Sequence, residues 1–133
     1  MNNKLYYPAV FQKEDIGYSV WLGDIGGCIS QGDTFQEAVD NIKDALGLYL
    51  EATAADAVSL PEPTPPENIE LEKGQFAVVI EFDRLAYLKK HDKRAVKKTL
   101  SIPSWLNTAA EAQHINFSAV LQQALKERLD INA

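Results

Sequence analysis

The sequence KKTLSIPSWLNTAAEAQHINFSAVLQQALKERL, residues 97–129, begins with residues that alternate in polarity. Leu100 and Ile102 face one way, while Lys97, Thr99 and Ser101 face the other. This period of two predicts a half-buried strand with a polar, basic outer face. The proline that follows ends the strand and favours the start of a helix.

Two amphipathic helices are predicted after this strand. The first carries Trp105 and Leu106, and the second begins at the N-cap Asn116 after a break at residues 113–115. A unit of about forty residues with one strand leaves a row of unpaired amides and cannot bury two helices alone. The sequence therefore predicts that the unit pairs with a second copy. Two antiparallel strands would then form a ribbon that fits the major groove of DNA.

The residues before this unit predict an antiparallel sheet with one helix packed on it. Residues 5–11 and 17–22 predict a hairpin, and residues 28–31 predict a short third strand. Thr34 and Glu37 form a capping box, in which the Thr34 hydroxyl accepts from the Glu37 amide and the Glu37 carboxylate accepts from the Thr34 amide. A long helix begins there, and its apolar face is Phe35, Ala38, Val39, Ile42, Ala45, Leu46, Tyr49 and Leu50.

The middle of the chain predicts a linker, a strand and a short helix. Four prolines within residues 61–66 predict a stiff, extended connection. Residues 75–82 are apolar on both faces, which predicts a fourth strand inside or well covered by the sheet and not at a wet edge. Residues 83–90 predict a short helix with Leu85 and Leu88 inward. The expected domains are residues 1–82, a short helix and hinge at 83–95, and residues 96–133.

The composition is that of a globular protein. The chain has 133 residues, of which 46% are hydrophobic and 24% charged, which excludes a disordered or fibrous protein. No apolar run reaches the roughly 20 residues of a membrane span, and no signal-like segment opens the chain, so we expect a cytoplasmic protein. One cysteine and two distant histidines indicate no disulfide, metal site or cofactor.

The charge is divided unevenly along the chain. Residues 1–73 hold four lysines and thirteen acidic residues, a net charge of −9, whereas residues 74–133 carry +3. Within residues 84–98, seven basic residues stand against Asp92 alone. The acidic half would attract a basic partner, and the basic stretch could lie along a phosphate backbone or be a solvated helix face.

These residues resemble a known family. Residues 97–129 resemble a ribbon-helix-helix DNA-binding domain. Together with YYPAVF, GYSVWLGDIGGCISQGDTFQEAVDNIKDAL and the proline-rich exit, the chain resembles the HicB antitoxin family over nearly its whole length. The most specific parts are Gly27-Cys28, the run 32–38, and Ile115-Asn116-Phe117-Ser118. Where the family usually has a Pro-Asp-x-Pro-Gly-Cys turn, residues 23–28 read GDIGGC, so the turn is less stiff.

The resemblance implies an α+β chain with two functions. A partial ribonuclease-H-like domain, made of an antiparallel three-strand sheet, a helix and a fourth strand, would precede the ribbon-helix-helix domain. The first would bind and block a small basic HicA-type toxin, an mRNA-cleaving ribonuclease that relies on a histidine. The second, as a homodimer, would bind operator DNA and repress its own operon. The protein would not be an enzyme, and dimers and tetramers paired through the N-terminal domains both stay open.

The expected DNA contacts lie in the C-terminal unit. We expect Lys97, Thr99 and Ser101 to enter the major groove, where lysine and short hydroxyls can meet base edges. Lys98 is on the inward side, so its stem should pack on the dimer with its ammonium near a phosphate. The amides after Asn116, beginning at Phe117, either hold a phosphate or only open a capped helix.

Two other function classes are open. The first is a stand-alone repressor whose N-terminal domain senses a small ligand. The second is a metal-dependent nuclease using Asp24, Asp33 and Asp40, which is disfavoured because turns and a polar helix face do not converge carboxylates on two cations.

Several remaining residues have structural interpretations. Cys28 is expected to be a small buried hydrophobic residue, and His114 a cation at a helix end. A set of aromatic residues is expected to lie mostly in the core, and any that lie on the uncovered sheet face could anchor a toxin: Tyr6, Tyr7, Tyr18 and Trp21.

Overall fold

The computed structural model describes residues 4–54 and 59–131. Contacts within the chain divide it into two compact units, Met1–Arg94 and Ala95–Ala133. The outer ends of the predicted domains, residues 1–3 and 132–133, lie outside the described residues. In the described part of the chain, no helix combines the length and apolarity needed to cross a membrane.

The first unit contains a four-stranded antiparallel sheet. Its strands are β1 (Lys4–Lys13), β2 (Tyr18–Leu22), β3 (Ile29–Gly32) and β4 (Gln75–Asp83), in the spatial order β3-β2-β1-β4. The predicted hairpin and short third strand are confirmed. The longest ladder joins β1 to β4, without interruption from Lys4 opposite Asp83 to Gln12 opposite Gln75.

The predicted interior location of β4 is wrong, because β4 is an edge strand hydrogen-bonded to β1. Its two faces also differ. Ile80 and Phe82 are buried on one face, while Val79 and Glu81 are exposed on the other. The run of apolar residues did not mean that both faces of β4 are covered, because Val79 is exposed on the sheet surface and is not covered by a helix.

A single long helix, α1 (Phe35–Thr53), covers one face of this sheet. As predicted, the amide of Glu37 donates to Oγ1 of Thr34 at 3.1 Å. The second half of the capping box differs: the Glu37 carboxylate accepts from the amide of Asp33, not of Thr34, at 3.0 Å. The carboxylate thus caps one residue further out.

The core lies between α1 and what we call the inner face of the sheet. Strand residues of alternating position and one stripe of α1 form it, including Phe11, Val20, Ile42 and Leu46, all nearly inaccessible. Gly32 lets β3 approach α1 closely, because a Cβ there would lie 2.3 Å from the amide nitrogen of Ala38. This contact fixes the distance between α1 and the sheet.

The proline-rich segment, residues 59–74, is not a simple linker. Most of it lacks helix or strand, as predicted, but Pro66–Asn68 forms a 3-10 turn. The segment is attached to the sheet: the Tyr7 hydroxyl donates to the Pro61 carbonyl at 2.6 Å, and Leu60 packs against the core. This hydrogen bond and this packing therefore hold the segment against the sheet.

A second helix, α2 (Arg84–His91), packs on α1 in the first unit. Its main packing residue is Tyr87, which contacts the core, whereas the predicted Leu88 is exposed and Leu85 is half-buried. Tyr87 fits there because residue 47 of α1 is glycine: a Cβ at Gly47 would lie 2.2 Å from the Tyr87 ring. His91 Nε2 lies 3.4 Å from Asp44 Oδ1.

The second unit contains two helices, α3 (Ser104–Ala112) and α4 (Phe117–Arg128). The break between them is confirmed, and His114 ends the first helix in a left-handed conformation with φ of 55°. The predicted strand at residues 97–102 is not formed, and its residues are exposed instead of half-buried. A strand needs a hydrogen-bonded neighbour, and this single chain offers none there within the described residues.

Replacing Gly32 by alanine should destabilise the first unit. The new Cβ would collide with helix backbone, which cannot move aside as a flexible side chain would. We expect Gly32→Ala to lower the free energy of unfolding by about 3 kcal/mol, measured by urea denaturation. Gly26→Ala is the matched control, because a Cβ at Gly26 meets nothing within 4 Å. A loss of stability equal to that of the control would contradict the close approach.

Cys28 should resist thiol reagents in the folded protein. Its side chain is buried, and this burial raises the pKa of the thiol to about 11. The thiolate is the reactive form, so at pH 8 we expect modification about 100-fold slower than in the chain unfolded by guanidinium. Equal rates in the two states would show that Cys28 is accessible.

Candidate interaction surfaces

One face of the sheet, which we call the outer face, points away from α1. The register places Ile29 opposite Trp21, Trp21 opposite Val10, and Val10 opposite Ala77, so one apolar row crosses all four strands. Side chains at opposed positions lie on the same face of an antiparallel sheet. The outer face is thus continuous and apolar at its centre.

The aromatic residues predicted from sequence divide between the two faces. Tyr7 and Tyr18 face the core, as expected, whereas Tyr6 and Trp21 lie on the outer face. Tyr6 is 47% exposed, and its hydroxyl donates to the Glu81 carboxylate at 3.0 Å, which raises the pKa of Tyr6. The structure thereby identifies which aromatic side chains are available to a partner.

The proline-rich segment lies against the outer face beside β1. Thr64 and Ile69 line a shallow cavity together with Pro8 and Val10 of β1. The Asp24 carboxylate accepts two hydrogen bonds from Thr64, from the hydroxyl and from the amide nitrogen, the latter at 3.0 Å. Asp24, considered above as a nuclease carboxylate, therefore holds the proline-rich segment to the turn between β2 and β3.

The other carboxylates that suggested a nuclease also have local roles or remain apart. Asp40 accepts from Gln36 within α1 at 3.1 Å, and Asp33 offers its backbone amide to Glu37. Across residues 4–54 and 59–131, no group of three histidine, cysteine or acidic side chains could hold a metal ion. The arrangement therefore offers no support for two-metal chemistry.

The predicted DNA-binding residues are exposed in the second unit. Lys97, Lys98, Thr99 and Ser101 lie in the extended stretch before α3. Asn116 is the N-cap of α4, and its side chain accepts from the Ala119 amide at 3.0 Å. Phe117 follows as the first residue of the helix, and it is largely exposed. The roles of these residues toward DNA stay predictions.

The basic stretch at residues 84–98 is divided between the two units. Five of its seven basic residues belong to the first unit, on α2 or directly after it, and only Lys97 and Lys98 belong to the second. Arg94 bonds Asp92 at 2.9 Å and lowers the pKa of that carboxyl to about 2. This ion pair offsets one of the charges that the sequence offered to a phosphate backbone.

The second unit exposes most of its large apolar side chains. Trp105 is 72% exposed, and the α4 residues Val120 and Leu125 are about half exposed. The other exposed apolar side chains include Leu100, Ile102, Leu106, Ile115, Phe117 and Leu129. In the single chain, these side chains are not buried.

A family model and a phage protein both match most of this chain. The family model described as "HicB_like antitoxin of bacterial toxin-antitoxin system" matches residues 7–125. A protein of Haemophilus phage HP1, called an uncharacterized 14.9 kDa protein in the rep-hol intergenic region, is 30% identical over 94% of this chain and 98% of its own length.

Solved structures share the fold. A toxin-antitoxin complex from Streptococcus pneumoniae contains a chain with a TM-score of 0.58 and 23% identity, covering 94% of this chain and 99% of the other. The crystal structure of the antitoxin HicB3 has a TM-score of 0.52 and 26% identity, covering 97% of this chain and all of the other. With its matched family model, this mixed chain of four antiparallel strands and four helices belongs to the HicB-like antitoxin family.

Proposed function

We propose that the protein is a non-enzymatic antitoxin with two binding activities. The first unit binds and masks a HicA-type toxin, a small basic ribonuclease that cleaves mRNA. The second unit pairs with its copy to form a ribbon-helix-helix domain, which binds operator DNA and represses the operon of the protein. In this proposal the first unit has a partial ribonuclease-H-like fold and acts only by binding.

Toxin binding is supported by similarity and by charge. A chain of the HicA3 and HicB3 toxin-antitoxin complex is 26% identical, with a TM-score of 0.52, and covers 59% of this chain and 99% of its own length. The acidic half of this protein, with a net charge of −9 in residues 1–73, would steer a basic protein toward it.

Dimerisation carries the rest of the proposal. The second unit exposes a row of apolar side chains, and the extended residues 97–102 have no strand partner in the described chain. A second copy would supply both missing elements, because its strand would complete the ladder and its helices would cover Leu106, Val120 and Leu125.

In such a dimer, the outward side of the ribbon would meet DNA. Lys97, Thr99 and Ser101 alternate with the apolar Leu100 and Ile102, so pairing that buries the apolar pair turns the polar three outward. Lysine and hydroxyl groups can meet acceptors and donors at base edges, and Lys98 would lie near a phosphate. The first amides of α4 would add a phosphate contact at a helix N-terminus.

Affinity purification tests toxin binding. The tagged protein is expressed from its own locus, washed with nuclease and high salt, and the co-eluting proteins are identified by mass spectrometry. We expect a small basic protein in stoichiometric amount, whose separate expression arrests growth and whose co-expression with this chain restores it. Recovery of the chain alone, as a dimer that still shifts its promoter DNA, would instead favour a repressor that senses a small ligand.

Removing the two outward hydroxyls tests the DNA-binding assignment. The double variant Thr99→Ala with Ser101→Ala should weaken specific operator binding by about 1 to 3 kcal/mol for each hydroxyl that bonds well to a base edge. The circular dichroism spectrum and dimer mass should not change. Gln122→Ala with Gln123→Ala, on the polar side of α4, serves as the control, and operator affinity unchanged in both pairs would refute the assignment.

A further inference from the structure

We infer that the outer face of the sheet, together with the proline-rich segment, is where the basic protein partner docks. Ile29 and Trp21 on one side of the proline-rich segment, and Val79 on the other, would supply the apolar contacts, and the glutamates of the segment would supply the acidic ones. This inference rests on the proposed function and adds to it the location of the partner's binding surface.

The exposed side chains of the outer face have the composition of a protein interface. Ile29 is 68% exposed and Val79 46% exposed, and the half-buried Trp21 lies between the edge strand β3 and the buried Val10 of β1. Tyr6 adds an aromatic ring with a polar end near Val79. Aromatic side chains flanked by apolar ones contribute most of the binding energy in typical interfaces.

The proline-rich segment is acidic. From residue 44 to residue 72 the chain has no lysine or arginine, and this segment carries Glu62, Glu67, Glu70 and Glu72. Ile69 lines the cavity beside Pro8 and Val10, so Glu70, the next residue, is carried by backbone that lies against the outer face. Apolar side chains beside an acidic segment complement a partner that combines apolar and basic side chains.

The proline-rich segment is also held in place before binding. Asp24 holds Thr64, and Tyr7 holds Pro61, so two hydrogen-bonded points attach the proline-rich segment to the sheet. Proline further restricts the backbone of this segment. Binding would therefore require little additional ordering of the acidic residues, which reduces the entropic cost of association.

A basic partner fits this surface better than a second copy does. Two outer faces stacked on each other would bring Glu70 and Glu72 near the same residues of the copy, and like charges repel. The opposite side of the unit is less suitable for docking, because α1 covers the inner face of the sheet and presents the polar residues Gln36, Asp40 and Asn41.

Two pairs of substitutions test the surface, each with a matched control. Ile29→Ser with Val79→Ser removes apolar contacts, and its control is Ile16→Ser with Leu48→Ser, which are at least as exposed but lie in a turn and on α1. Glu70→Lys with Glu72→Lys reverses the charge of two of the four glutamates in the proline-rich segment, and its control is Asp15→Lys with Asp40→Lys, which changes the net charge equally. The probe is the protein recovered with the wild-type chain, purified and titrated.

Both surface pairs should raise the Kd for this partner at least about tenfold, and both controls should leave it within about twofold. The Glu70 and Glu72 pair should also reduce the salt dependence of binding. The circular dichroism spectrum and the urea-unfolding midpoint of all four variants should match those of the wild type, which verifies that the first unit folds, and operator binding by the second unit should not change.

Three results would overturn the inference. If the surface variants bind like the wild type, or if only the controls weaken binding, the partner docks elsewhere and the proposed function still stands. If the surface variants change the mass of the assembly in sedimentation without changing partner affinity, the outer face binds a second copy. If the wild-type chain recovers no protein, the proposed function fails together with the inference.

Discussion

The first unit depends on the ladder between β1 and β4, which joins residues 4–12 to residues 75–83. This pairing encloses about sixty residues of chain, so closing it costs conformational entropy that the core must offset. It also determines what lies on each side of the sheet. Because Tyr7 faces Ile80 and Pro8 faces Val79, one set of side chains joins the core and the other forms the outer face. The candidate docking surface is therefore a product of the same register that builds the core.

The two units differ in how far their apolar side chains are buried. The first encloses Phe11, Ile42 and Leu46 within one chain, so it has the dry core of an independent domain. The second exposes apolar residues along both of its helices, and none of its described residues is buried in the single chain. A unit of this kind gains stability by mass action, because association and folding are linked through the concentration of the chain. Folding of the C-terminal unit and its proposed DNA binding would thus depend on the same association.

Local sequence patterns were good guides to most of the local structure. The hairpin, the cap at Thr34 and the break before Asn116 all follow from residues within a few positions of each other. Two local errors are the amide bound by the Glu37 carboxylate and the exposure of Leu88, and the other errors concern long-range choices. Nothing in residues 75–82 states which strand lies beside them, and the hydrogen bond of Thr64 with Asp24 spans forty residues. The candidate surface was only partly foreseeable, because the aromatic residues were visible in the sequence but the face that each occupies depends on register.

The fit of Tyr87 against Gly47 also constrains how this protein can change during evolution. Any side chain at position 47 would overlap the aromatic ring, so a larger residue there requires either that the Tyr87 side chain moves or that position 87 becomes smaller. The two sites should therefore vary together among related proteins, although forty residues separate them. Drift at either one alone is restricted, whereas a paired exchange could preserve the packing of α1 against α2 in a different form.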